Sequence, residues 1–123
     1  MLVAAAILSF FAEFEVDLVA GTKVETRRNW KCDRKVENHK IALVDKLFVR
    51  VWCGGKGKQV GWARYTALFR QEIGRMTKQN LKDEGRGGMT QEGFKAEYFK
   101  GLDSKSEVWV VRFIFMPLQC RLQ

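Results

Sequence analysis

The chain has 123 residues, 46% of them hydrophobic, and a net charge of +8 from 22 Lys and Arg against 14 Asp and Glu. That is enough apolar material for one core and not for two, so a single domain over residues 1–123 is expected, and the surplus of positive charge points to a polyanionic partner. The three cysteines, Cys32, Cys53 and Cys120, are odd in number and include no Cys-x-x-Cys pair, which argues against a disulfide framework and a zinc site and fits a reducing cytoplasm.

Leu2 to Phe10 is rich in Val, Ile, Leu and Phe and predicts a buried strand. The apolar opening has no basic leader, runs at once into Glu13, Glu15 and Asp17, and is too short to span a bilayer, so no membrane location is expected. Phe11, Phe14, Leu18 and Val19 recur at helical spacing, and Gly21 stands where a helix-terminating glycine belongs. From Lys23 the chain runs extended. Strict alternation would set Lys23 and Thr26 on opposite faces, so for both to address one ligand Lys23 must lie in the turn that Gly21 permits.

Lys31 to Lys40 is polar, charged and without apolar period, and reads as a surface loop bearing an inert His39. Leu47 to Trp52 predicts a strand. Gly54-Gly55-Lys56-Gly57-Lys58 reads as a flexible hairpin, since it lacks the spacing of a phosphate-binding loop, and leads into a strand over Gln59 to Phe69. Thr77 can cap a short helix through Glu84, and Thr90 a second one over Gln91 to Phe99, with the glycine-rich Gly85-Arg86-Gly87-Gly88 between them. Glu107 to Phe115 predicts a closing strand that Pro117 ends. Trp52 and Trp109, set in continuous apolar runs, are assigned to the core, as is Trp62 with its edge towards a cleft. Trp30, between Asn29 and Lys31, is the candidate for an exposed stacking platform.

The spacing Gly-x-Lys-x-x-Thr-x-Arg, formed by Gly21, Lys23, Thr26 and Arg28, resembles the signature of the ASCH domains, small barrels of the PUA-like superfamily. The order of the later segments is similar too: Val60-Gly61-Trp62-Ala63-Arg64, Ile73-Gly74-Arg75-Met76-Thr77, Leu81-Lys82-Asp83-Glu84-Gly85 and the closing strand. The resemblance covers nearly the whole chain. It implies an α+β fold: a mostly antiparallel ASCH-type β-barrel of five or six strands with two or three short helices.

Read without the resemblance, Thr26 is an ordinary strand threonine and Lys23 a solvated turn residue. With it, Lys23, Thr26 and Glu84 become candidate catalytic residues. In the bacterial 4-acetylcytidine amidohydrolases of this family the matching lysine and threonine are thought to act with a glutamate, which would make Lys23 the base, Thr26 the nucleophile and Arg28 an anion or carbonyl stabiliser. The register of Glu84 against Met89 and Thr90 departs from that of those enzymes, and Glu84 is equally suited to an ion pair with Arg28 or Arg64. Lys23, Arg27, Arg28, Trp30 and Arg64 are the candidate nucleic-acid contacts, with Lys56, Lys58, Arg50, Arg70 and Arg75 extending a basic rim.

The expected function is recognition of RNA or of a nucleotide-like ligand, such as a modified nucleoside, in a basic cleft. Two alternatives stand beside it: a hydrolase with the Lys/Thr/Glu site, acting as an acylcytidine amidohydrolase or a metal-independent ribonuclease, and an adaptor whose basic face binds an acidic protein. No metal or other cofactor is expected, because no carboxylate cluster of metal-binding spacing is visible.

Overall fold

A computed structural model describes residues 2–118. Its framework is a five-stranded sheet made of β1 (Val3–Phe10), β2 (Glu25–Arg28), β3 (Phe48–Cys53), β4 (Gln59–Glu72) and β5 (Glu107–Pro117). Four helices accompany it, α1 (Glu15–Ala20), α2 (Asp33–Val44), α3 (Lys78–Asp83) and α4 (Gln91–Tyr98).

The strands lie in the order β1-β3-β4-β5-β2. β1 runs parallel to β3, and the other three pairings are antiparallel. The α+β class and the antiparallel majority agree with expectation; the closed barrel does not. β1 and β2 occupy opposite ends of the sheet, and among the described residues no ladder joins them. Side chains meet there instead of backbones: the Arg28 guanidinium of β2 lies 4.7 Å from the ring centre of Phe10 at the end of β1. Residues of both edge strands line a cleft, so the sheet is open where the site lies.

A second correction concerns Lys31 to Lys40, which is not a loop. Asp33 onward forms the twelve-residue α2, which packs on β1 and β4 and buries Val36, His39 and Ala42. Those residues do follow a helical period, but it disappears if histidine is counted as a surface residue. With α2 included there are four helices rather than two or three.

Two apolar clusters support the sheet. The larger gathers Leu8, Phe10, Phe14, Leu18, Val49, Val51, Val111 and Phe113, and the smaller gathers Ile73, Met76, Leu81, Phe94 and Val108, with Tyr98 packed against both. In β3 the residues Val49, Val51 and Cys53 face inward, and Trp52 between them turns to the other side and is only partly buried. Trp109, between buried Val108 and Val110, and Trp62, between Gly61 and Ala63, follow the same alternation and are also partly buried. The core assignment of these three tryptophans is therefore wrong for a simple reason: a strand in a one-sided sheet buries alternate residues, however apolar the run. In the first helical segment Phe14 and Leu18 are buried, whereas Phe11 and Val19 are exposed. Cys53 is buried and Cys32 exposed, both as free thiols, and Cys120 lies outside the described residues.

Candidate functional site

Gly21 terminates α1 in the left-handed conformation, φ 78°, and its N–H bonds to the carbonyls of Asp17 and Leu18. This turn delivers Lys23 sideways into the protein, where it forms a bridge with Glu84 at the end of α3. Lys23 is buried, only 2% exposed. Its Nζ donates to Glu84 Oε1 at 2.7 Å, to the Glu84 carbonyl at 3.0 Å and to the Glu25 carbonyl at 3.2 Å, so all three ammonium hydrogens have acceptors. Phe14 lies under the same nitrogen, 4.4 Å to the ring centre. Gly85 follows Glu84 with φ 77°, and a Cβ there would stand 3.2 Å from Asp17 Cβ and 3.3 Å from Lys23 Cβ. That close approach is what allows the Glu84 turn to seat against Lys23.

α3 owes its position to a capping box, in which the Thr77 hydroxyl accepts from the Asn80 N–H and the Asn80 side chain accepts from the Thr77 N–H. Its C-terminal end brings Asp83 and Glu84 to β2.

β2 is polar and nevertheless buried, with Glu25, Thr26 and Arg27 each no more than 4% exposed. Its charges are matched pairwise. Arg27 NH1 lies 2.7 Å from Glu25 Oε1 and 3.0 Å from Glu84 Oε2, and its Nε donates to Gln71 Oε1 at 2.9 Å. Glu25 is also paired with Arg112, which reaches Asp83 at 3.2 Å. Arg28 differs: it makes no ion pair among the described residues, and its Nε donates to Thr26 Oγ1 at 3.1 Å.

Lys23, Thr26, Arg27, Arg28 and Glu84 line a cleft of about 760 Å³. Phe10, Phe14, Phe94, Tyr98 and Phe99 give it aromatic walls, and Lys23, Arg27, Arg28, Lys56 and Lys100 face it alongside Glu84, the one carboxylate among its described lining residues. Lys56 and Lys100 are exposed and stand at its rim. The α4 wall is fastened across the cleft by Arg86, which donates to Tyr98 Oη and bridges Glu13 and Asp17, each at 2.9 Å.

The structure thus brings Lys23, Thr26, Arg27, Arg28 and Glu84 together. The glutamate pairs with Lys23 and Arg27, and not with Arg28 or Arg64, the partners that the alternative reading gave it. Arg64 sits apart, with its guanidinium 5.1 Å from the Phe48 ring centre and outside the residues lining the cleft. Trp30 is partly buried, and one face of its indole is stacked on His39 at 3.8 Å; it borders a second, smaller cavity with Trp109, Lys40 and Arg70. His39 is no surface residue: it is 1% exposed, and its Nδ1 lies 2.6 Å from Tyr65 Oη. Burial first, and then the charges of Arg28 and Lys35, push its pKa down to about 4, so the imidazole is neutral at physiological pH. The aromatic wall of α4 went unrecognised in the sequence, although Phe94 and Tyr98 at i and i+4 mark an apolar helix face. Nothing local says that this face borders a cleft.

Burial lowers the Lys23 pKa, and the ion pair with Glu84 opposes that shift. An amine so placed needs its partner to remain charged. Among the described residues, no group of three or more His, Cys, Asp or Glu side chains is placed to hold a metal ion, and no helix is long and apolar enough to cross a membrane.

Among solved structures, the chain is similar to a protein of Enterococcus faecalis V583 of the family model DUF984, with TM-score 0.59 and 11% identity over 95% of this chain and 85% of that one. It is also similar to two variants of the ZmASCH protein of Zymomonas mobilis, with TM-scores 0.52 and 0.53 and identities of 15% and 17%, over 87% of this chain. It spans 65% and 66% of those two chains, just under two thirds of their length. No family model and no curated protein matches it. At such identities the likeness establishes the fold, which is of the ASCH type.

Proposed function

We propose that the cleft binds RNA or a nucleotide-like ligand. The observation that carries this reading is Arg28, a partly buried cation that faces the cleft and, like the exposed Lys56 and Lys100 at the rim, has no ion-pair partner among the described residues. The neighbouring charges of Lys23 and Arg27 are already matched by carboxylates, so an incoming phosphate finds its free partner in Arg28, with Lys56 and Lys100 at the rim. Tyr98 and Phe99, the partly buried rings of the aromatic wall, supply faces for a base. Titration of a labelled single-stranded RNA and of nucleoside monophosphates, at several salt concentrations and beside Arg28→Ala, tests it. Salt-sensitive binding that the substitution weakens supports the reading; binding to an acidic protein alone, with no affinity for nucleotides, refutes it.

A second reading, a small hydrolase of the acylcytidine amidohydrolase or ribonuclease kind, rests on the lowered pKa of Lys23 beside Glu84 and on Thr26 in the same cleft. For Lys23 to act as a base it has to shed one of the three hydrogens now given to Glu25 and Glu84. Thr26 Oγ1 meanwhile accepts from Arg28 rather than facing a free amine. Turnover of 4-acetylcytidine or of RNA that vanishes in Thr26→Val, a substitution that leaves the ion pair intact, would establish the hydrolase and displace the binding reading.

A further inference from the structure

Directly opposed residues of neighbouring strands share one side of a sheet. Arg50, Trp62 and Met116 form such a row across β3, β4 and β5, and Arg64 and Ile114 form part of the next, with the Arg64 guanidinium 5.1 Å from the ring centre of Phe48. Val49 and Ala63, which alternate with these residues, are fully buried in the larger core together with Ala42 of α2. That core and α2 therefore lie on the opposite side of the sheet. None of the six residues is buried, and Ile114 is 58% exposed, so this outer face is open to solvent.

The charge on the face has one sign. Neither Arg50 nor Arg64 forms an ion pair among the described residues, and none of the six positions is acidic. Arg50 NH1 reaches only the Ala4 carbonyl, at 3.5 Å. Trp62 meets Phe48 at an interplanar angle of 77° and stacks on no ring among the described residues. Cations interleaved with open rings are what a single strand needs, since guanidinium groups take its phosphates and rings stack its bases whatever their sequence. Two copies of the chain joined through this face would instead set arginine against arginine. The face is also continuous with the cleft: Trp52, two residues beyond Arg50 on the same side of β3, lines the cleft, as does Ser9, its partner on β1.

We infer that a single-stranded RNA with one nucleotide in the cleft leaves it past Trp52 and continues over the outer face of the sheet, with its phosphates on Arg50 and Arg64 and a base on Trp62. The ligand class is then an oligonucleotide rather than a free nucleotide. This rests on the nucleotide-binding reading of the cleft and adds to it the path of the strand.

Calorimetric titration of UMP and of an oligouridylate of about eight nucleotides, into the wild-type chain and an Arg50→Gln, Arg64→Gln double variant, tests the inference. The oligomer is expected to bind the wild type roughly tenfold or more tightly than UMP, the scale of one stacked base. The double variant should lose that advantage, and the slope of log affinity against log salt for the oligomer should shrink by about 1.4, two single-strand phosphate contacts at about 0.7 each. UMP binding should stay unchanged, which also shows that the variant is folded. Should the double variant fail to fold, Trp62→Leu, which keeps an apolar side chain, makes the same comparison through the stacked base and should weaken the oligomer alone. An oligomer bound equally by wild type and variants, with UMP still held, leaves the cleft reading standing and overturns the path over the sheet. Retention of polyglutamate, lost in the double variant, with no binding of UMP or of the oligomer, would assign the face to an acidic protein and overturn both.

Discussion

Lys23 and Glu84, sixty-one positions apart, are joined twice: Nζ lies 2.7 Å from the carboxylate Oε1 and 3.0 Å from the carbonyl oxygen of the same residue. The bond therefore fixes the backbone of the Glu84 turn as well as its charge. Lys23→Ala leaves Glu84 with Arg27 alone in a site that is 2% exposed, and removing one partner of a buried pair costs about 3–5 kcal/mol. Urea unfolding should show that loss, with a smaller one in a Lys23→Met, Glu84→Gln double variant. A change under about 1 kcal/mol in Lys23→Ala would mean that the pair is hydrated and not buried as described. Loss of activity on Lys23→Ala is consequently no proof of catalysis.

Arg28→Ala should behave in the opposite way. Its guanidinium rests on Phe10 and donates to Thr26, contacts worth about 1 kcal/mol together. Stability is expected to change little, RNA affinity to fall roughly tenfold or more, and the slope of log affinity against log salt to shrink by about 0.7, the value for one phosphate contact on a single strand. An unchanged slope would place the phosphate elsewhere.

His39 makes the protein acid-sensitive. Its pKa is about 4 when folded against 6.5 when unfolded, so below pH 6.5 the unfolded chain takes up a proton that the native state resists. The stabilisation is complete above pH 6.5 and is lost as pH falls towards 4, by about 3 kcal/mol in all. Denaturant midpoints measured between pH 7 and pH 4 should fall in the wild type, and fall less in His39→Gln. Parallel curves for the two proteins would show that the imidazole is protonated in place.

Thr77→Ala removes the cap of α3, the helix whose end presents Glu84. About 1 kcal/mol of stability should be lost. Because the substitution lies away from the cleft lining, ligand affinity should weaken only as far as Glu84 shifts. A thermal melt and a titration on the same sample separate the two effects, and full stability without the cap would mean that packing alone holds α3.

Much of the succession of elements along the chain was legible because alternation, glycine turns and threonine caps act over a few residues. Gly21 ends α1 and Thr77 and Thr90 cap α3 and α4 as their types and spacing imply. α2 was hidden because His39 counts as polar until Trp30 and Tyr65 are seen around it. The three tryptophans were misplaced because an apolar run does not say which of its faces is covered.

By itself, then, the sequence determined most of the local elements and singled out side chains that the fold brings to one cleft: Lys23, Thr26, Arg27, Arg28 and Glu84. Only the tertiary structure decided how their charges are shared. Which cation a carboxylate neutralises depends on distances across sixty residues of chain, and those distances bury Lys23 and Arg27 against Glu84 and leave Arg28 without an ion pair among the described residues. The same packing opened the sheet between β1 and β2, because Phe10 and Arg28 meet there through side chains rather than through a ladder of backbone hydrogen bonds.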